Sequence, residues 1–147
     1  MVKIYSRTGT VWIATPSESF ELQSTEGVQK VVAGRDVVSW RSEFDKWPQT
    51  KESLAQSYYP TNIKKFITLK EHPEPLEFVQ YKPKPNQFIS VRDPKENETT
   101  VVLPTGDILN VDPAVDVIAH KVAADGSAIG NEYVMKVVAL HENYAAV

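Results

Sequence analysis

The chain reads as a β-rich α+β protein, built of small twisted sheets or a partly open barrel with one or two short helices. Three observations carry that reading. The first is Thr99 to His120, TTVVLPTGDILNVDPAVDVIAH, where Val101, Val102, Ile108, Val115 and Val117 form short β-branched runs broken at Pro104-Thr105-Gly106-Asp107 and Asp112-Pro113. The second is a fainter copy of the pattern at Val31-Val32-Ala33-Gly34-Arg35-Asp36-Val37-Val38. The third is the scarcity of helical periodicity, which is clear only after Pro48. There Thr50 can cap a helix with Glu52 in its first turn and Leu54, Ser57 and Tyr58 on one face, until Pro60 interrupts it.

Taken in order, Lys3 to Arg7 and Thr10 to Ala14 alternate around Thr8-Gly9 and predict a hairpin. Ser19 to Gln23 is a short alternating run closed by Thr25-Glu26-Gly27, and strands follow at Val28 to Val32 and Asp36 to Trp40. Asn62 to Leu69 satisfies helix and strand periods in part, with a strand favoured at its end. His72-Pro73-Glu74-Pro75 forbids regular structure and marks a boundary, giving a first lobe at 1–72 and a second at 73–147. In the second, Glu77 to Tyr81 and Gln87 to Val91 read as strands and Asp93 to Asn97 as a polar loop. Val115 to Lys121 alternates strictly, with Asp116, Ile118 and His120 on one face and the polar members turned outward. Asp125-Gly126 signals a turn, Asn131 to Val137 a returning strand, and Val138 to Tyr144 one or two helical turns.

The halves invite alignment. Phe20, Asp36, Leu54 and Tyr58 find counterparts in Phe88, Asp107, Leu140 and Tyr144, which admits an internal repeat of two unequal related lobes. The order of an apolar strand, Thr105-Gly106-Asp107-Ile108-Leu109, then Glu132-Tyr133-Val134-Met135 and Tyr144, resembles the small PGDYG domains of bacterial and phage proteins. Here Ile108 replaces the aromatic after Gly-Asp, and Pro104 stands one residue further from the glycine. The resemblance implies a compact β-rich fold and a bacterial or phage source; it brings no assigned activity.

Composition narrows the function classes. At 147 residues, 41% hydrophobic and 24% charged, the chain can close a core without a disulfide or metal staple. Cysteine is absent, which removes thiolate catalysis and Cys-based zinc sites and suits a reducing cytoplasm, the host's if the chain is phage-encoded. No apolar run approaches the length of a membrane span. A net charge of -3 disfavours nucleic acid as a partner. Charge is uneven, however, with a basic stretch at 61–92 and an acidic one at 93–147, an arrangement compatible with homo-oligomer contacts.

No phosphate loop, nucleophile elbow or zinc-protease motif occurs, and neither cofactor nor metal is expected. His120 with Asp116 is the best acid/base pair the sequence offers, with Asp107 or Asp112 nearby as further oxygen ligands. An alternating strand with a polar outer face explains the same residues without a site. Trp40, Phe44 and Trp47, interleaved with Arg41 and followed by Tyr58, could line a pocket or anchor a protein interface, and Arg35 could add anion recognition. Capping of the lobe's core is the plainer account of these rings. The expected function is therefore non-catalytic: a bacterial or phage accessory or inhibitor protein that engages a host protein or sequesters a small anionic ligand. The binding residues on this reading are Arg35, Trp40, Arg41, Phe44, Trp47, Tyr58, Asp107, Asp116 and His120. The alternatives are a small enzyme using Asp116 and His120, and a homo-oligomeric virion-type component.

Overall fold

A computed structural model describes residues 3–24, 26–85, 87–123 and 125–147. Its elements, in chain order, are β1 (Lys3–Arg7), β2 (Val11–Ala14), β3 (Phe20–Ser24), β4 (Gly27–Val31), β5 (Asp36–Ser42), β6 (Asp45–Thr50) and α1 (Lys51–Ser57). Then come β7 (Tyr58–Ile67), β8 (Leu76–Pro83), β9 (Phe88–Arg92), β10 (Thr100–Val102), β11 (Ile108–Asn110), β12 (Asp116–Val122), β13 (Tyr133–Lys136), α2 (Val137–Asn143) and β14 (Tyr144–Ala146). The protein is β-rich as its sequence predicts, with two short helices and small antiparallel sheets, none closed into a barrel. No helix among the described residues is long and apolar enough to cross a membrane.

The chain divides into two compact units, one of Thr10–Lys84 and one of Met1–Gly9 with Pro85–Val147. This departs from a linear division at 72/73 in two ways. Strand β8 closes the first half's sheet beside β2 and β7, so the proline-rich stretch is a loop inside a unit. Strands β1 and β2 form no hairpin either, because β1 pairs with β9 and β14 while β2 pairs with β5 and β8. At the expected turn, the Thr8 and Gly9 amides both donate to the Asn143 carbonyl, at 2.9 and 3.0 Å, which draws the end of β1 to α2.

Within Thr10–Lys84 the five-stranded sheet has the order β6-β5-β2-β8-β7, and β3 and β4 form a separate hairpin. One face buries Val11, Ile13 and Val37 against Leu54 of α1 and Tyr58. The other buries Val38 and Phe78 against Leu22 and Val31 of the hairpin. Thr50 caps α1 as its spacing predicts, its hydroxyl accepting from the Ser53 amide at 3.1 Å, a contact worth about 1 kcal/mol.

The other unit has the sheet order β13-β12-β9-β1-β14 and a hairpin of β10 and β11. Element for element this is the same sequence of strand, hairpin, two strands, helix and strand, except that β1 holds the place β8 holds in its counterpart. Registers agree too: Val11 faces Tyr81 as Ile89 faces Tyr5, and Ser39 faces Trp47 as Ala119 faces Tyr133. Leu54 matches Leu140 and Tyr58 matches Tyr144 at the ends of the two helices. Asp36, however, matches Asp116 rather than Asp107, since Asp36 opens β5 and Asp116 opens β12; Asp107 lies in the β10–β11 turn, where Gly106 adopts φ +87°. Phe20 likewise sits in the hairpin strand β3, whereas Phe88 begins β9.

A candidate binding surface

The aromatic cluster expected around Trp40 to Trp47 is not one surface. In the β5–β6 hairpin Trp40 faces Lys46 while Trp47 faces Ser39, and adjacent pairs point to opposite sides of a sheet. Trp40 therefore packs with Phe78 on the hairpin side, and Trp47 with Leu54 and Tyr58 on the helix side. Phe44, at the tip of the turn, is 77% exposed and belongs to neither. Tyr58 is buried. Arg41 stacks over Trp47 at 4.8 Å, reaches Asp45 at 3.6 Å and approaches the Tyr58 hydroxyl at 3.5 Å. Arg35 clasps Asp36 through Nε and Nη2 at 2.8 and 2.7 Å, which commits much of its guanidinium to a local turn.

Asp116 does not lie on a polar outer face: it is buried at 2% exposure. Its Oδ2 accepts from the Asp112 amide at 2.8 Å and its Oδ1 holds the Lys136 ammonium at 2.6 Å. A buried carboxylate demands such partners, and these two lock the turn before β12 to the end of β13. His120 instead bonds the Gly130 carbonyl through Nε2 at 2.8 Å; since a carbonyl only accepts, Nε2 carries the proton. Neither side chain bonds the other. Asp107 accepts from the Thr105 hydroxyl at 3.0 Å inside its own turn. No group of three or more His, Asp or Glu among the described residues is placed to hold a metal ion.

Strand β7 supplies what the sequence reading passed over. It is the outer strand of its sheet, ten residues long, paired to β8 with an irregularity between Pro60 and Lys64. Tyr59, Ile63 and Phe66 along it are 44%, 54% and 69% exposed. From the same strand Lys65 reaches across β8 to two indoles, its ammonium 4.2 Å from the Trp12 ring centre and 5.0 Å from that of Trp40. Those tryptophans face each other across β2 and β5, and Phe78, directly opposite Lys65, is tilted against Trp40 with centroids 6.4 Å apart. Trp40 Nε1 is buried without an acceptor among the described residues. The run Ile63-Lys64-Lys65-Phe66-Ile67 carried a signal of a strand, but deciding that it is an edge requires the sheet order.

Two further charge groups were invisible in sequence. Arg92 grips Glu98 with two bonds of 2.9 Å and Glu132 at 2.8 Å; the arginine's hydrogen bonds hold Glu98 down to about 2 and lower Glu132 as well. Lys121, by contrast, is pulled down to about 8 by burial and then by the charge of Arg7, whose Nη1 donates to the Tyr144 hydroxyl at 2.8 Å. Comparison of the chain with protein-family models found no match, and comparisons with curated proteins and with solved structures found no significant one.

Proposed function

We propose that this chain is a non-catalytic binding protein that engages an extended segment of a partner protein at the outer edge of β7. The carrying observation is that strand itself, paired on one side and bearing Tyr59, Ile63 and Phe66 at 44%, 54% and 69% exposure. An open strand edge offers main-chain hydrogen bonds to an added strand, and exposed apolar side chains add contact area and selectivity. The engagement of Asp116 with Lys136 and of His120 with Gly130 favours binding over turnover.

On this reading the two units are related copies of one PGDYG-like β unit in a bacterial or phage accessory protein, and the partner is a host protein. Their shared element order and registers support the relation between the two units. Self-pairing along β7 is the competing arrangement; it would bring Lys64 and Lys65 of two copies into mutual repulsion. Capture of a small anion is a second reading, favoured by the like charges of Lys121 and of Arg7, which donates to the Tyr144 hydroxyl.

The test compares wild-type chain with Phe66→Glu as bait in a bacterial lysate, quantified by mass spectrometry, with light scattering alongside. A protein retained by the wild type and lost with the equally folded variant supports the reading. Identical retention by both, or a wild-type dimer abolished by the substitution, overturns it.

A further inference from the structure

The geometry points to Trp12 and Trp40 as a cage for an N-methylated lysine of a partner polypeptide, a place now filled by the chain's own Lys65. A cation over indole faces at 4.2 and 5.0 Å lies within the range in which the ring quadrupole attracts it, and paired aromatic faces are a general means of recognising alkylated ammonium groups. Among the described residues Lys65 has no carboxylate and no hydrogen-bond acceptor, so the rings are what its ammonium contacts. An ordinary ammonium over two rings gives up part of its hydration without gaining an ion pair; a trimethylated one carries the same charge, donates no hydrogen bonds and loses less on leaving water.

The walls are also fixed in place. Trp12 and Trp40 are directly opposed on neighbouring strands, with Phe78 packed against Trp40. Trp40 is held there even though its Nε1 has no acceptor among the described residues, so the position of the ring is kept at the expense of its hydrogen bond. Lys65, in contrast, is exposed and sits on the outer strand, where nothing but its own stem must move to vacate the rings. The occupant is a lysine delivered by an extended chain, which is why a lysine side chain of another extended segment, rather than a free quaternary amine, is the ligand. The inference rests on the chain being a polypeptide-binding protein.

The full chain is titrated with a short peptide carrying trimethyl-lysine, the same peptide unmethylated, and choline chloride, with sodium chloride as the ionic-strength control. The readout is the indole N–H signals of Trp12, Trp40 and Trp47 in nuclear magnetic resonance spectra. The expected result is movement of the Trp12 and Trp40 signals with the trimethylated peptide, little with the unmethylated one, and none at Trp47. Lys65→Ala, which removes the resident cation, then binds ~3–10-fold more tightly, and Trp12→Leu in that background abolishes the response. Absence of any shift in a folded Lys65→Ala chain overturns the cage. So does a response to choline without one to the peptide, or equal shifts at all three indoles. Equal partner capture by the wild type and Phe66→Glu with the indole response intact would sink the edge-pairing reading alone.

Discussion

Asp36 and Asp116 make the same hydrogen bond in the two units: each carboxylate accepts from the backbone amide four residues earlier, Val32 at 2.9 Å and Asp112 at 2.8 Å. In return each aspartate's own amide donates to that residue's carbonyl, at 2.9 and 2.8 Å. A buried acid thus closes the turn leading into β5 and into β12, and only the counter-charge differs, Arg35 in one and Lys136 in the other.

Replacing that counter-charge has a defined cost. Lys136→Met leaves the Asp116 carboxylate buried and unneutralised, and is expected to lower stability by about 3 kcal/mol, the low end for a broken buried pair because water still reaches the lysine. Urea unfolding measures it, and Asp116→Asn added to Lys136→Met should recover part of the loss.

The helix anchors can be compared directly. Leu54→Ala and Leu140→Ala each empty a buried site beneath a helix and are expected to cost about 2–5 kcal/mol, whereas Thr50→Ala removes only a cap, about 1 kcal/mol. Thermal and urea denaturation of the three variants would check the ranking.

Lys121 gives a pH signature. Its folded-state value, about 8, lies below the ordinary 10.5, so the folded chain releases the proton first and stability rises with pH between those values. Lys121→Met is expected to remove that rise and to stabilise the chain at neutral pH, as read from urea midpoints across the alkaline range.

Glu98 gives a rise of the same direction at the acid end, but there the charged form is the one the fold favours. Its value is depressed from 4.5 to about 2 by the Arg92 hydrogen bonds, so its contribution is complete above pH 4.5 and lost as pH falls toward 2. Glu98→Gln should flatten the acid limb of the stability profile in that window and leave the alkaline limb unchanged.

The sequence was most legible where local chemistry decides structure. Thr50 and Glu52 announced α1, β-branched runs announced β5 and β12, and Thr105-Gly106-Asp107 announced a hairpin turn. It was least legible where distant segments choose each other. Lys3 to Arg7 alternates like any hairpin strand, and nothing within it specifies β9 and β14 as its neighbours. The strict alternation of β12 likewise could not say which face was dry: hydrophobic clusters cover both, so Asp116 went inside with a lysine twenty residues away. Trp40 and Trp47 stand seven positions apart in the sequence, and that odd spacing across a hairpin put them on opposite faces.

The seating of β1 between β9 and β14 sets an order for biogenesis. Ser6 and Ala145, which face each other there, are 139 positions apart, so the first strand leaves the ribosome long before either neighbour exists. Residues 10–84 contain all of their own sheet and can close as soon as they emerge, while the first strand waits for β9 and gains its second neighbour, β14, only when nearly the whole of this sequence has been translated. A nascent chain stalled midway would expose one finished half and one lone strand that chaperones or proteases could seize.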